Sequence, residues 1–174
     1  MDILDPIINE PEREFHVREL AKLVKKSPTT VSKYLKQLEK ENILFSEKKL
    51  NHLFFKANTE NQDFKNKKLF YNLIKIRKSN IIENFIKIYN PEAIVLFGSF
   101  AKAENIDKSD IDLLIITPFK KEINLEKYEK ILDHKIQLFI NSKKDIEIMK
   151  DKNPKLLNSF VNGVKIYGYW ELFK

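Results

Sequence analysis

Two aspartates separated by one residue carry the clearest chemical signal in the sequence. Asp110 and Asp112 stand at the start of an apolar run at residues 113–116. Because side chains alternate along a strand, both carboxylates are expected on one face, roughly 6–7 Å apart along the chain. Carboxylate oxygens suit one or two Mg²⁺ ions, which would stabilise the charged oxygens of a phosphoryl or nucleotidyl transfer.

A Gly-Ser pair precedes these aspartates at the end of another apolar run. Residues 93–97 predict a buried strand that leads into Gly98 and Ser99, and Asp110 follows eleven residues after Ser99. Glycine lets a backbone approach a triphosphate closely, and a serine hydroxyl with neighbouring N–H groups can bind phosphate oxygens. Lys102, at the end of this short segment, is a further candidate for nucleotide contact.

The segment GSFAKAENIDKSDIDLLI resembles the signature of nucleotidyltransferases of the DNA polymerase β type, most of all the minimal nucleotidyltransferases of prokaryotes. The resemblance spans roughly residues 79–141. It implies that Gly98 and Ser99 hold the triphosphate of an NTP, with ATP as the first expectation. It also implies that Asp110 and Asp112 ligate Mg²⁺ or Mn²⁺. Ala103 departs from the family, which usually has a glycine a few residues after the Gly-Ser pair.

A third carboxylate, which active members of this family carry on a later strand, has no obvious counterpart. The strand expected at residues 135–140 offers Gln137 at that place. An amide ligates metals weakly and does not accept a proton at neutral pH. Asp133 and His134 lie just upstream and are alternative bases. Whether the domain is an active enzyme therefore stays open at this point.

The N-terminal third has a different pattern, with short helices followed by two strands. Helices are expected at residues 2–9 and 18–25, with an extended piece at 15–17. Ser27 suits the N-cap of a third helix, and Pro28 suits its first residue. An apolar stripe at helical spacing then predicts one buried face, at Val31, Tyr34, Leu35 and Leu38. Strands are expected at 43–45 and 53–55, around a polar tip at 47–52.

The exposed face of the third helix is suited to the major groove of double-stranded DNA. Short hydroxyl side chains reach base edges and lysines neutralise phosphates. The candidate DNA contacts are Lys25, Lys26, Ser27, Thr29, Thr30, Ser32, Lys33 and Lys36, with Lys48, Lys49 and His52 at the tip. The segment HVRELAKLVKKSPTTVSKYLKQLEKENIL resembles winged helix-turn-helix domains of bacterial and archaeal regulators, over about residues 3–57.

The distribution of charge supports an anionic partner for the N-terminal part. The chain has a net charge of +7, and residues 1–78 contribute 17 Lys/Arg against 11 Asp/Glu. Residues 79–174 are nearly balanced, with 15 basic and 14 acidic residues. A basic excess confined to one part of a chain favours binding of nucleic acid there.

The two resemblances together imply the fold class, and composition limits the chemistry and the location. The fold class is expected to be α+β, with a winged helix-turn-helix at residues 1–60, connecting helices at 61–90 and a small mixed-sheet nucleotidyltransferase-like α/β domain at 91–174. The absence of cysteine excludes a thiolate zinc site and a cysteine nucleophile. No apolar stretch approaches the ~18 residues of a membrane span, so a cytoplasmic protein without membrane contact is expected.

The apolar helical stretch at 63–89 is expected either to join the domains or to pack against a second subunit in a homodimer.

Three functions remain open on the sequence alone. The first is a transcriptional regulator that binds DNA and whose transferase-like domain binds an NTP weakly or senses it. The second is an active enzyme that moves a nucleoside monophosphate from an NTP to a hydroxyl acceptor. That acceptor could be a toxin protein, as the resemblance to minimal nucleotidyltransferase antitoxins implies. The third is a non-catalytic scaffold for protein contacts, which the basic third helix disfavours.

Overall fold

The computed structural model describes residues 2–49 and 51–172. The chain divides into two units, Met1–Tyr71 and Asn72–Lys174. The elements of the first unit are α1 (Asp5–Asn9), β1 (Phe15–His16), α2 (Val17–Val24), α3 (Pro28–Lys40), β2 (Leu44–Lys49) and β3 (His52–Ala57). A long helix, α4 (Gln62–Lys78), contains the boundary between the units.

Local sequence signals account for the helix-turn-helix of the first unit. Ser27 caps α3, because its Oγ accepts a hydrogen bond from the Thr30 backbone N–H at 3.1 Å, and Pro28 is the first helical residue. The stripe of α3 shares one core with buried residues of α1, α2 and β3, and Leu35 is fully buried. The expectation for the third helix is confirmed. The first helix is shorter than expected, since it starts at Asp5, one residue before Pro6, rather than at residue 2.

The two strands of the wing are longer than the sequence predicts. β2 continues to Lys49 and β3 begins at His52, and these two residues are directly paired. Residues 47–49 and His52 therefore lie on the paired strands, so the expectation that the polar tip spans residues 47–52 between the strands is wrong. Asn51 has φ +62°, a left-handed conformation that asparagine tolerates in tight hairpin turns. With β1, the strands form a sheet in the order β1-β3-β2.

The second unit is a four-stranded mixed sheet covered by helices. After α4 its elements are α5 (Ile81–Tyr89), β4 (Ala93–Phe97), α6 (Gly98–Lys102), β5 (Ile111–Ile116), α7 (Glu126–Leu132), β6 (Ile136–Asn141), α8 (Lys143–Lys152), α9 (Pro154–Val161) and β7 (Val164–Gly168). The strand order is β6-β5-β4-β7, with β5 and β6 parallel and the other pairs antiparallel. The α+β class and the mixed sheet are confirmed.

Each face of this sheet has its own core. Side chains of α5 and α7, including Phe85 and Leu132, pack against one face, and side chains of α8 and α9, including Ile146 and Phe160, pack against the other. Helix α7 has no counterpart among the sequence predictions, although its two buried residues, Tyr128 and Leu132, lie four positions apart as on one face of a helix; a helix of seven residues offers only this one repeat. None of the described helices is long and apolar enough to cross a membrane.

Much of the apolar surface expected at residues 63–89 is used within the second unit. Ile81, Ile82, Phe85 and Tyr89 are buried in the core that α5 forms with the sheet. Only a smaller part of the stretch stays open, such as Phe70 on α4, which is 66% exposed. Helix α5 therefore offers little of its apolar surface to a second subunit.

Candidate functional site: an aspartate pair and a basic groove

Asp112 lies directly against the backbone of Gly98. Antiparallel pairing of β4 and β5 places Asp112 opposite Phe97, the residue before Gly98. Gly98 has φ +68°, and a Cβ built on it would collide with Oδ2 of Asp112. A side chain at position 98 would therefore both strain the backbone and displace the carboxylate. This close approach explains the glycine of the Gly-Ser pair.

The two aspartates form an electrostatically unfavourable pair. Burial raises the pKa of the Asp112 carboxyl above its ordinary value, and the neighbouring charge of Asp110 raises this pKa further. Asp110 itself is exposed and stands one residue before β5. Two carboxylates that repel each other beside an open surface are stabilised by a bound cation, so this arrangement fits a divalent metal.

The other predicted nucleotide contacts lie on α6. Ser99 is half-buried in the first turn of this helix, and Lys102 is exposed at its last residue. The chain then turns at Ala103, which has φ +58° and ends the helix. A left-handed conformation favours glycine, which gives a physical reason for the glycine usual at this place in the family. The alanine methyl is nevertheless accommodated here.

Gln137 lies in register with Asp112 on the neighbouring parallel strand. The pairing of β5 with β6 aligns Asp112 with Gln137 and Leu114 with Phe139. Aligned residues of parallel strands point to the same face, and such strands lie about 4.8 Å apart. Gln137 is exposed, so its amide borders the same open surface as the Asp112 carboxylate. Within residues 2–49 and 51–172, no group of three or more acidic or histidine side chains is placed to hold a metal.

Of the two alternative bases, Asp133 is exposed at the C-cap of α7, and His134 makes close contacts within the second unit. Its Nδ1 lies 2.9 Å from the Ser109 carbonyl oxygen, and its ring meets Phe100 edge-on at 4.9 Å between centroids. Burial lowers the pKa of His134, which favours the neutral ring. Neutral His134 with a protonated Nδ1 donates to the Ser109 carbonyl and fixes the residue just before Asp110. These contacts favour a structural role over proton transfer.

Two buried asparagines hold the loop that leads to Asp110, and sequence reasoning missed both. Nδ2 of Asn72 donates to the Phe100 carbonyl at 3.1 Å and to Oδ1 of Asn105 at 2.8 Å. Asn72 is only 2% exposed, so these bonds join α6 to the loop in a site that excludes water. The available sequence signal is the helical spacing of Asn72 with the buried residues Phe64 and Ile76 on α4.

The N-terminal unit contains a groove between α3 and the wing. It has a volume of about 650 Å³. Five of the predicted DNA contacts line it, namely Thr29, Ser32, Lys33, Lys36 and His52. His16, Arg18 and Asn51 line it as well and were not predicted. Hydroxyl, amide and cationic groups thus converge on one concave surface, which is suited to a DNA strand.

The remaining predicted DNA contacts lie outside this groove. Ser27 and Thr30 share a hydrogen bond of 2.8 Å between their hydroxyls within the cap of α3. The ammonium of Lys49 lies 2.7 Å from Glu14 and 3.1 Å from Glu47, so its charge is largely compensated. Lys25 and Lys26 are exposed in the turn between α2 and α3, and Lys48 is exposed on β2.

A histidine pair at the groove depends entirely on strand pairing. Nδ1 of His16 accepts a hydrogen bond from the Arg18 N–H at 3.2 Å and so caps α2. The ring of His52 meets that of His16 edge-on, with 4.9 Å between centroids. The polar residue before α2 was a usable signal for the cap, whereas the contact between the two rings had no local signal.

Comparison with known families finds one match within each of the two units of the chain. A model described as winged helix-turn-helix DNA-binding matches residues 16–44. A model described as polymerase beta, nucleotidyltransferase matches residues 79–171, which is more than half of the chain. The chain has no match among curated proteins or solved structures. The two family matches follow the order expected from the sequence.

Proposed function

The chain belongs to the polymerase beta nucleotidyltransferase family, and from that premise we propose that it is a DNA-binding regulator whose second unit binds and senses a metal–nucleotide complex. The winged helix-turn-helix supplies the DNA-binding part. The sensing part depends on a site that retains its metal-binding aspartates and lacks a suitable base.

The geometry of Gly98 and the aspartates supports binding of an NTP with Mg²⁺ or Mn²⁺. Asp110 and Asp112 would hold the metal, since their mutual repulsion is relieved by a cation. The lack of a side chain at Gly98 lets the Asp112 carboxylate lie against the start of α6, the short helix that carries Ser99 and Lys102. When bound, the metal supplies charge neutralisation for phosphate oxygens. ATP is the first nucleotide to test.

One observation argues for sensing rather than rapid transfer, namely the alignment of Gln137 with Asp112. An amide at this position adds a weak ligand and cannot take the proton of an attacking hydroxyl. His134 is turned toward Ser109 and Phe100 instead. General-base catalysis typically contributes about 10²–10⁴-fold, so its loss leaves binding intact while slowing transfer strongly.

Calorimetric titration of the full chain with ATP tests the binding site. Wild-type protein should bind ATP only when Mg²⁺ or Mn²⁺ is present. In the double variant Asp110→Asn, Asp112→Asn, the affinity for ATP should no longer depend on the metal. Asp107→Asn is a matched control, because it removes an exposed acid from the same loop and leaves the pair intact. Absence of binding by the wild type at millimolar ATP and metal would refute the proposal.

Two further measurements separate the candidate functions. If the second unit is a sensor, ATP with Mg²⁺ should change the affinity for DNA, and DNA should change the affinity for ATP by the same factor. Equal DNA affinity with and without nucleotide would eliminate sensing. Incubation with labelled ATP and cell lysate tests transfer, and rapid labelling of an acceptor would favour the active transferase over the sensor.

A further inference from the structure

We propose that DNA binding by the first unit is coupled to uptake of a proton by His52, which then contacts a backbone phosphate as an imidazolium. The inference rests on the proposal that the groove between α3 and the wing binds DNA, and it adds a proton to that binding. His16 and His52 are the two histidines of the first unit, and both line the groove. Histidine is the side chain whose charge changes near neutral pH.

The cap of α2 requires an unprotonated nitrogen on His16. Nδ1 of His16 accepts a hydrogen bond from the Arg18 backbone N–H at 3.2 Å. Both ring nitrogens of an imidazolium carry a proton, so neither can accept such a bond. Protonation of His16 would therefore break the cap and leave an N–H of the first helical turn without its partner. A proton taken up in the groove is therefore better placed on His52.

The contact between the two rings accommodates one charge but not two. The rings meet edge-on, with 4.9 Å between centroids and 87° between planes. A cation beside a neutral aromatic ring is stabilised by that ring, whereas two imidazolium rings at this separation would repel each other. His52 is exposed and His16 is half-buried, so His52 is also the ring that is more accessible to a phosphate.

DNA supplies the negative charge that a protonated His52 lacks in the free protein. The cationic side chains that line the groove with His52 or lie opposite it on β2 are Arg18, Lys33, Lys36 and Lys49. Two carboxylates lie on the neighbouring strand segments, but the Lys49 ammonium binds both of them, Glu14 at 2.7 Å and Glu47 at 3.1 Å. Among the described residues, no carboxylate forms an ion pair with His52. A phosphate in the groove provides this partner and so favours the protonated ring.

Proton uptake makes the affinity for DNA depend on pH. Because the bound state takes the proton, the affinity rises as the pH falls, by up to about tenfold per pH unit for one proton. Between about pH 6 and 8 the exposed carboxylates stay ionised, so histidine dominates the titration in this range. The additional phosphate contact should also raise the slope of log K against log salt at the acidic end by about 0.9.

Variants at position 52 test the proposal in the full chain. Fluorescence anisotropy with a labelled duplex at low salt measures DNA affinity without knowledge of the target sequence, since non-specific binding is strong under that condition. The wild type should bind more tightly as the pH falls from about 8 to about 6. His52→Gln should lose this dependence and bind like the wild type at the alkaline end. His52→Lys keeps a charge throughout, so it should bind tightly at every pH in this range.

Substitution of the other histidine shows which ring takes the proton. His16→Asn keeps a capping oxygen and removes the ring. Loss of the pH dependence in His52→Gln, together with its retention in a His16→Asn protein that is folded by circular dichroism, would place the proton on His52. The opposite pattern would place the proton on His16 and refute the assignment. His134 lies in the second unit and is present in every variant, so it does not contribute to the differences between them.

The outcomes also distinguish this proposal from the proposed function. Wild-type protein that binds DNA with the same affinity at every pH, or His52→Gln protein that keeps the pH dependence, would overturn the proton linkage and leave DNA binding intact. Wild-type protein that binds no duplex at any pH would refute DNA binding by the groove, and the linkage with it.

Discussion

A third carboxylate introduced at position 137 should convert the site from weak to strong metal binding. Gln137→Glu keeps the length of the side chain and adds a negative charge in register with Asp112. With neighbouring strands about 4.8 Å apart, the two carboxylates would lie roughly 6 Å from each other. Without metal, the variant should therefore be less stable than the wild type.

The size of this effect follows from Coulomb's law. Two unit charges at about 6 Å interact by about 2.8 kcal/mol at an effective dielectric constant of 20, and by about 0.7 kcal/mol in water. Position 137 is exposed and Asp112 is half-buried, so a cost of about 1–2 kcal/mol is expected. For a chain of this size, about 1 kcal/mol corresponds to about 2–4 °C in the unfolding midpoint.

Metal should reverse this loss. If the third carboxylate tightens Mg²⁺ binding about tenfold, saturating metal adds about 1.4 kcal/mol of stability beyond the gain of the wild type. Thermal unfolding in EDTA and in millimolar Mg²⁺ or Mn²⁺ measures both effects. Asn141→Asp is the matched control, because it adds a charge on the same face of β6 four residues away from position 137.

Activity gives an independent measurement on the same variants. Gln137→Glu or the shorter Gln137→Asp should show a metal-dependent gain in transfer of labelled nucleotide, by up to about 10²–10⁴-fold if the new carboxylate acts as base. If both variants unfold like Asn141→Asp with and without metal, residue 137 does not share the site of Asp112. Rapid transfer by the wild type would show that another group supplies the base.

Three further outcomes are expected. The double variant Lys33→Ala, Lys36→Ala should bind all DNA sequences more weakly, and the slope of log K against log salt should fall by about 0.9 per lost phosphate contact. Lys49→Ala is the control, because it removes a lysine that is ion-paired with Glu14 and should leave the slope unchanged. Gly98→Ala should lower the free energy of unfolding by about 1–2 kcal/mol through its left-handed backbone, and calorimetry should show loss of Mg²⁺ binding. Because the pKa of Asp112 is raised on folding, ionisation of Asp112 destabilises the metal-free protein as pH rises above its unfolded pKa. Asp112→Asn should therefore stabilise the metal-free protein at neutral pH, and denaturant titrations should show this gain disappearing in acid.

Features fixed by neighbouring residues could be predicted from the sequence. The start of α3 depends on Ser27 and Pro28, which act on backbone groups within one helical turn. The Gly-Ser pair and the two aspartates are similarly local, since each follows or opens an apolar strand. The patterns also gave the order of the two domains, which the family matches confirm.

Features that depend on which strands pair were decided by the tertiary structure. The alignment of Gln137 with Asp112 arises from the parallel register of β5 and β6, whose residues are 25 positions apart. The contact between His16 and His52 requires the pairing of β1 with β3, and compensation of Lys49 requires Glu14 from a distant segment. Short-range propensity acts within a few residues, whereas register is set by burial of a whole face, so a slip of one residue would move Gln137 to the opposite side of the sheet.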